Sequence, residues 1–157
     1  MEEKEAYSFA STLCSKQERC SSYIIEKLSK QQVDPETISS VINRLKKERF
    51  LDDLRYATYY ARDKYRFEKW GRVKITYNLK LKQLSSDIIT SALEAIDEEL
   101  YLQNLELIIT SALKKSKETN LYKRKAKVAQ MAASRGYETS LIYKFLNTQN
   151  LSSNYEE

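Results

Sequence analysis

Apolar and polar residues alternate along this chain with the period of amphipathic helices. The pattern is clearest between residues 24 and 45, where the apolar positions are Ile24, Leu28, Val33, Ile38, Val41, Ile42 and Leu45. Their spacings of 4, 5, 5, 3, 1 and 3 residues fit one face of each of two helices separated by a short turn. The pattern therefore predicts a pair of amphipathic helices.

The same apolar pattern recurs twice further along the chain. Adding 51 to each position gives a second set, Ile75, Leu79, Leu84, Ile89, Ala92, Leu93 and Ile96. This shift also carries an upstream helix onto a second copy, matching Ala6, Phe9 and Ala10 with Ala57, Tyr60 and Ala61. A further shift of 53 gives Val128, Ala132, Tyr137, Ile142, Phe145, Leu146 and Gln149, which leaves the pattern only at its last position. We interpret the chain as three copies of one three-helix unit.

Helix-capping residues divide the copies in the same way. Asp34–Glu36 supplies a capping oxygen, a proline at the first helical position and a carboxylate near the positive end of a helix. Ser85–Asp87 occupies the corresponding place in the second copy. Gly136 ends a helix in the third copy, where glycine readily adopts a left-handed conformation, and its counterparts are Gln32 and Gln83. If the geometry is kept, each glutamine should cost roughly 1 kcal/mol relative to glycine.

These signals predict an all-α fold, and only two glycines and one proline are present for the turns that a sheet would need. The predicted helices span residues 3–17, 21–31, 35–47, 53–68, 71–82, 86–96, 98–117, 121–134 and 139–147. The repeats are expected at 1–51, 52–97 and 98–157, the last with a short polar C-terminal tail. Because one such unit buries little surface alone, we expect the repeats to stack into an elongated, curved molecule, with a fused globular bundle as the alternative.

Positive charge is concentrated in two segments. The chain carries 27 basic and 22 acidic residues, a net charge of +5. Residues 62–82 contain eight basic residues against two acidic ones, and residues 114–127 contain seven against one. Such clusters attract nucleic acid or an acidic protein surface through counterion release. The alternative, that both are solvated helix faces, stays open.

Several kinds of chemistry are disfavoured by composition. The chain has no histidine and no glycine-rich phosphate loop, so we expect neither a catalytic triad nor ATP hydrolysis, and no cofactor, metal or small-molecule substrate. Asp52 and Asp53 are adjacent carboxylates, but they are interpreted as helix-start residues rather than catalytic ones. Cys14 and Cys20 are expected to be reduced thiols. Without a long apolar run or an export signal, we expect a cytoplasmic protein that does not contact membranes.

Residues 50–57, Phe-Leu-Asp-Asp-Leu-Arg-Tyr-Ala, resemble the signature that opens the second unit of RecX proteins. Downstream, Gly71 followed by Ile75 and Leu79 is similar to the glycine and apolar spacing of that unit. Arg135–Tyr137 is similar to the Arg-Gly-aromatic turn of the third unit. One departure is Lys82–Leu84, where the family usually has Lys-Gly before the apolar residue. The resemblance covers about residues 5 to 147.

The resemblance implies a non-enzymatic regulator that binds the RecA recombinase filament and inhibits or modulates its ATPase and strand-exchange activities. It further implies a role in DNA repair and recombination. Single- or double-stranded DNA would be bound weakly through the basic patches, and a monomer is expected. The alternatives are a free-standing helix-turn-helix-like nucleic-acid binder and an inert helical adaptor.

The candidate partner-binding residues combine cations with exposed aromatics. Arg55, Tyr59, Arg62 and Arg66 are spaced to share one face of a helix, which could pair with carboxylates or phosphates. Trp70 is a candidate for base stacking or, alternatively, an anchor between helices. Cations at the start of the eighth helix lie near its positive end, where the helix dipole repels them. This repulsion favours an anionic partner there. The full set is Arg55, Tyr59, Arg62, Arg66, Lys69, Trp70, Arg72, Lys74, Lys123, Arg124, Lys125 and Lys127.

Overall fold

The computed structural model of the protein describes residues 1–148, and all regular secondary structure in that range is helical. Its nine helices are α1 (Glu3–Lys16), α2 (Ser21–Lys30), α3 (Pro35–Lys47), α4 (Asp53–Phe67), α5 (Arg72–Leu81), α6 (Ser86–Glu94), α7 (Glu98–Lys115), α8 (Leu121–Ser134) and α9 (Thr139–Thr148). Each end lies within about two residues of the predicted one, so the all-α prediction is confirmed. Gln149 and the predicted C-terminal tail lie outside the described residues.

The predicted capping residues begin their helices. The Asp34 carboxylate accepts a hydrogen bond from the backbone N–H of Glu36 at 3.2 Å, and Pro35 occupies the first helical position of α3. At the start of α6 the Ser85 hydroxyl accepts from the backbone N–H of Ile88 at 3.3 Å. Both bonds satisfy amide groups that have no partner within the first turn of a helix.

The apolar positions that define the repeat are buried. All seven are buried in the first copy, six of seven in the second, and five of the six described positions in the third. The exceptions, Leu93 and Phe145, are half-buried. The first helix of the first two copies follows the same rule, with complete burial of Ala6, Ala10, Ala57 and Ala61. The helical repeat is therefore confirmed by burial as well as by spacing.

The second helix of each copy ends in the same left-handed turn. The φ angles are 61° at Gln32, 61° at Gln83 and 97° at Gly136. In each copy the following residue donates its backbone N–H to the carbonyl five positions earlier, at 3.1, 3.4 and 3.3 Å in chain order. The left-handed residue itself donates to the carbonyl three positions earlier at 2.9 Å in all three. These are Schellman turns, so both glutamines keep the glycine geometry.

The chain divides into two compact units. The first unit comprises residues 1–60 and 79–94, and the second comprises residues 61–78 together with the chain from Ala95 onwards. In the first unit α1, α2 and α3 pack on one another around a buried apolar core. In the second, α8 packs on α7 and α9 over buried side chains that include Tyr101, Ile109 and Leu146. The repeat boundaries at 51/52 and 97/98 stay a prediction.

Within residues 1–148 we find no helix whose length and apolar content would allow it to cross a membrane.

Candidate partner-binding surface

The adjacent carboxylates of the Phe50–Ala57 segment begin two different helices. The Asp52 carboxylate accepts from the backbone N–H of Arg55 at 2.9 Å, which caps α4. Asp53 instead accepts from the backbone N–H of Ser21 at 2.8 Å, at the start of α2. The capping interpretation of Asp52 is confirmed. The cap that Asp53 supplies to α2 was missed, because the two residues are 32 positions apart in the sequence.

Arg55 is held by Glu18 inside the first unit. Its Nε and Nη2 atoms each donate to one carboxylate oxygen of Glu18 at 2.9 Å, and Nη2 also donates to the carbonyl of Arg49 at 3.2 Å. The hydrogen bond to Glu18 raises the pKa of Arg55 above its ordinary value. A two-point pair of this kind fixes the guanidinium in place. Arg55 therefore joins α4 to the segment that follows α1.

The other members of the predicted α4 face are exposed. Tyr59, in the first unit, is exposed, and so are Arg62 and Arg66 in the second. Arg66 forms no ion pair with any residue in the range 1–148. These side chains are accessible to a partner, and their role in binding stays a prediction.

Trp70 lies close to two ammonium groups in the second unit. The Nζ atoms of Lys64 and Lys74 lie 4.6 and 4.4 Å from its ring centroid, and the ring is half-buried. Cation–π contacts of this kind stabilise the turn between α4 and α5. Lys69 adopts a φ of 55° in this turn, and its carbonyl accepts from the hydroxyl of Tyr137 at 2.8 Å. Trp70 and Lys74, both candidates for partner binding, thus contact each other.

Arg72 is the centre of a cluster, which we call the Arg72 cluster, formed with Glu98, Tyr101 and Glu138. Its Nη1 donates to Glu138 at 2.7 Å, its Nη2 pairs with Glu98, and its guanidinium lies 4.0 Å from the Tyr101 ring centroid. Burial lowers the pKa of Arg72, but the hydrogen bond and charge of Glu138 outweigh this, so that its pKa is raised. Arg72 therefore connects the start of α5 to α7 and to the α8–α9 turn.

Tyr101 completes this cluster from the core side. Its hydroxyl accepts from the backbone N–H of Arg72 at 2.8 Å and donates to the carboxylate of Glu138. Burial, followed by the hydrogen bond to Glu138, raises the pKa of Tyr101 well above its ordinary value. Burial also raises the pKa of Tyr137, whose ring centroid lies 5.2 Å from that of Tyr101. Sequence reasoning missed Tyr101 and Glu138, since helical periodicity does not show which buried tyrosine has a distant polar partner.

The two glycines of the chain meet in this region. The backbone N–H of Gly71 donates to the carbonyl of Arg135 at 2.8 Å, and that of Val73 donates to the carbonyl of Gly136 at 2.9 Å. The turn that follows α8 thus supplies acceptors to two amides at the start of α5. A Cβ on Gly71 would overlap the backbone of Gly136 and Tyr137. Both glycines are required for this approach.

The second cationic segment, residues 114–127, contains both engaged and exposed side chains. Arg124 donates from Nη2 to the carbonyl of Leu113, near the end of α7. Lys127 pairs with Glu118 at 3.1 Å, and that hydrogen bond lowers the pKa of Glu118. Lys123 is exposed and Lys125 is half-buried. Only part of the predicted cationic contact is therefore available to a partner.

Comparison with known proteins assigns the family. Residues 52–93 match the family model described as the second three-helix domain of RecX, and residues 98–146 match its third three-helix domain. The chain belongs to the RecX family. The two matched domains contain α4–α6 and α7–α9, the helices of the second and third repeats.

Most of this chain is also similar in sequence to curated RecX proteins. It is 29% identical to regulatory protein RecX of Oceanobacillus iheyensis over 138 residues, which is 88% of this chain and 51% of that protein. It is 32% identical to the Clostridium botulinum (strain Alaska E43) protein over 119 residues, 74% of this chain and 55% of that one. The chain therefore spans about half the length of these relatives.

Solved RecX structures share the fold. The crystal structure of RecX from Lactobacillus salivarius has a TM-score of 0.88 with 21% identity, covering 95% of this chain and 97% of that one. A second crystal structure of regulatory protein RecX has a TM-score of 0.84 with 22% identity, covering 92% and 71%. The helical repeat of this chain is thus the RecX fold.

Proposed function

We propose that this chain binds RecA recombinase filaments and inhibits or modulates their ATPase and strand-exchange activities. The observation that carries the proposal is the match of residues 52–93 and 98–146 to two RecX domains. In this proposal the protein acts as a cytoplasmic monomer by occupying a surface of the filament. It catalyses no reaction of its own, and weak contacts to DNA phosphates add to its affinity.

The structure divides the candidate residues by what their side chains already contact. Arg55 and Arg72 are held by carboxylates within their own units, so we assign them to positioning the helices. The exposed cations Arg66 and Lys123 are the proposed contacts to RecA or to DNA phosphates. An exposed charge stays hydrated in the folded protein, so it does not weaken the fold. It can also attract a distant polyanion.

The test measures RecA activity directly. RecA is assembled on single-stranded DNA, and ATP hydrolysis and strand exchange are followed while this protein is added in increasing amounts. We expect both rates to fall at protein concentrations below that of RecA. Unchanged rates at equal concentrations would refute the proposal.

Two matched variants test the exposed cations. Arg66→Ala combined with Lys123→Ala removes two positive charges from the two clusters, and we expect weaker inhibition by about threefold or more. Lys46→Ala combined with Lys47→Ala removes the same charge from an exposed part of α3 and serves as the control. Equal loss in both variants would indicate a nonspecific charge effect rather than a binding surface.

The free-standing nucleic-acid binder is distinguished by gel shifts without recombinase. Tight, sequence-dependent binding of duplex DNA would favour it. Weak binding that disappears with added salt is what the RecA proposal requires.

A further inference from the structure

We propose that the corner between α7 and α8, residues 114–127, binds single-stranded DNA, with one base stacked on Tyr122 and neighbouring phosphates contacting lysines. This inference deepens the proposed function and rests on it for its biological meaning. Its test needs no recombinase.

The first observation is the exposure of the Tyr122 side chain. Its exposed fraction is 82%, higher than that of any other large hydrophobic side chain among residues 1–148. Within that range it makes no hydrogen bond and no ring contact, whereas the rings of Tyr101 and Tyr137 are buried in the same unit. An aromatic ring left this open contributes nothing to the core, and its faces are available for stacking on a base.

The surrounding charge is the second observation. Of the seven cations in this corner, Arg124 is directed to the Leu113 carbonyl and Lys127 to Glu118. The five others have no ion pair within residues 1–148; they are Lys114, Lys115, Lys117, Lys123 and Lys125. The only carboxylate of the corner, that of Glu118, is already neutralised by Lys127. The corner therefore presents concentrated positive charge with no free acidic group to oppose an anion.

The first turns of α8 place the ring next to a lysine. Tyr122 and Lys123 are consecutive and both exposed, and Lys127 follows Lys123 one turn further along the same side of the helix. Cations at this end of the helix oppose its dipole, and a bound phosphate would relieve that repulsion.

A groove extends the corner along the two helices. It has a volume of about 340 Å³, and its lining is largely apolar, with Leu107, Ile108, Ala112 and Met131. Lys115 of the corner and Arg135, which follows α8, are its two cations. Lys115 and Arg135 provide positive charges at two separate points of the groove. The phosphates of a flexible single strand can reach both. An acidic peptide would bind the same lysines but would not need the exposed Tyr122 ring. A duplex keeps its bases stacked on one another, so the ring favours a single strand.

The experiment measures binding of a fluorescein-labelled oligothymidylate of about 15 nucleotides by fluorescence anisotropy at low salt. Tyr122→Ala should weaken binding about 5- to 100-fold, as expected for the loss of one stacked base. Tyr122→Phe keeps the ring and should bind as the parent does. Tyr143→Ala removes another exposed tyrosine, from α9, and should have no effect.

Salt dependence tests the lysines separately. Combining Lys114→Ala, Lys117→Ala and Lys123→Ala should reduce the slope of log affinity against log salt by about 2, since each contact to a single strand contributes about 0.7. All altered side chains are exposed, and thermal melting confirms that each variant is folded.

Two results would overturn the inference. One is equal affinity of the parent and Tyr122→Ala for the oligonucleotide, including the case in which neither binds. The other is competition by poly-glutamate as effective as that by unlabelled oligonucleotide, which would indicate an acidic protein partner. If RecA inhibition persists in either case, only this inference fails and the proposed function stands.

Discussion

The left-handed turns after α5 and α8 have the same hydrogen bonds but different residues at their critical position. Gln83 ends the first at a φ of 61°, and Gly136 ends the second at 97°. Gln32, after α2, has the same φ as Gln83. A left-handed residue with a side chain is unfavourable by roughly 1–2 kcal/mol, yet two of the three copies tolerate it. The turn itself therefore does not require glycine.

What distinguishes Gly136 is the backbone that approaches it. Its carbonyl accepts from the amide of Val73, and a Cβ at this position would lie 2.6 Å from the backbone nitrogen of Lys74. Glycine is required where one backbone contacts another, and is optional where the left-handed conformation is the only demand. Four substitutions separate these two requirements.

Gly136→Ala should have the largest effect. It adds the left-handed penalty of roughly 1–2 kcal/mol to an overlap with Lys74 that costs about 1–3 kcal/mol. We expect the free energy of unfolding to fall by about 2–5 kcal/mol in urea denaturation.

Two matched variants separate the steric overlap from the left-handed penalty. Gly71→Ala introduces overlap alone, since Gly71 is not left-handed, and should be destabilising through the approach to Gly136. Gln83→Ala keeps a side chain at a left-handed position without such an approach and should change stability little. Equal losses in Gly136→Ala and Gln83→Ala would contradict the distinction.

Tyr101→Phe should have an intermediate effect. It keeps the buried ring but removes the hydroxyl that accepts from the Arg72 amide at 2.8 Å and donates to Glu138. Leaving such groups unpaired costs about 1–3 kcal/mol. Denaturation should show that loss, and hydrogen exchange should show faster exchange of the Arg72 amide.

Tyr122→Phe is the control for this change, because its hydroxyl has no partner within residues 1–148 and its side chain is exposed. Its stability should match that of the parent. If Tyr101→Phe is equally neutral, the hydrogen bonds of the Tyr101 hydroxyl do not stabilise the second unit.

Gln83→Gly should have the smallest effect and the opposite sign. It removes the left-handed penalty, although glycine also gains entropy in the unfolded chain, which offsets part of the benefit. A net stabilisation of about 0.5–1 kcal/mol is expected from the shift of the denaturation midpoint. Destabilisation would indicate that the Gln83 side chain contributes a contact that outweighs the backbone strain.

The site was less predictable than the helices. The helical spacing predicted an exposed position for Arg55, but it could not show that Arg55 pairs with Glu18. Arg72 and Glu138 are 66 positions apart, and no local pattern relates them. Whether a cation can bind a partner depends on whether the fold already pairs it with a carboxylate. In this protein such pairs join residues that are far apart in the sequence.

For this chain the sequence alone determined the helices, their caps and the threefold repeat, because 3.6-residue periodicity and capping act within a few positions. It also indicated the left-handed turn at Gly136, whereas the same conformation at Gln32 and Gln83 is visible only in the structure. Only the tertiary structure decided that Asp53 caps α2, that Gly71 meets Gly136 and that Arg72 is held between two carboxylates. These contacts join residues 26 to 66 positions apart, so they depend on how the helices pack and not on local preference.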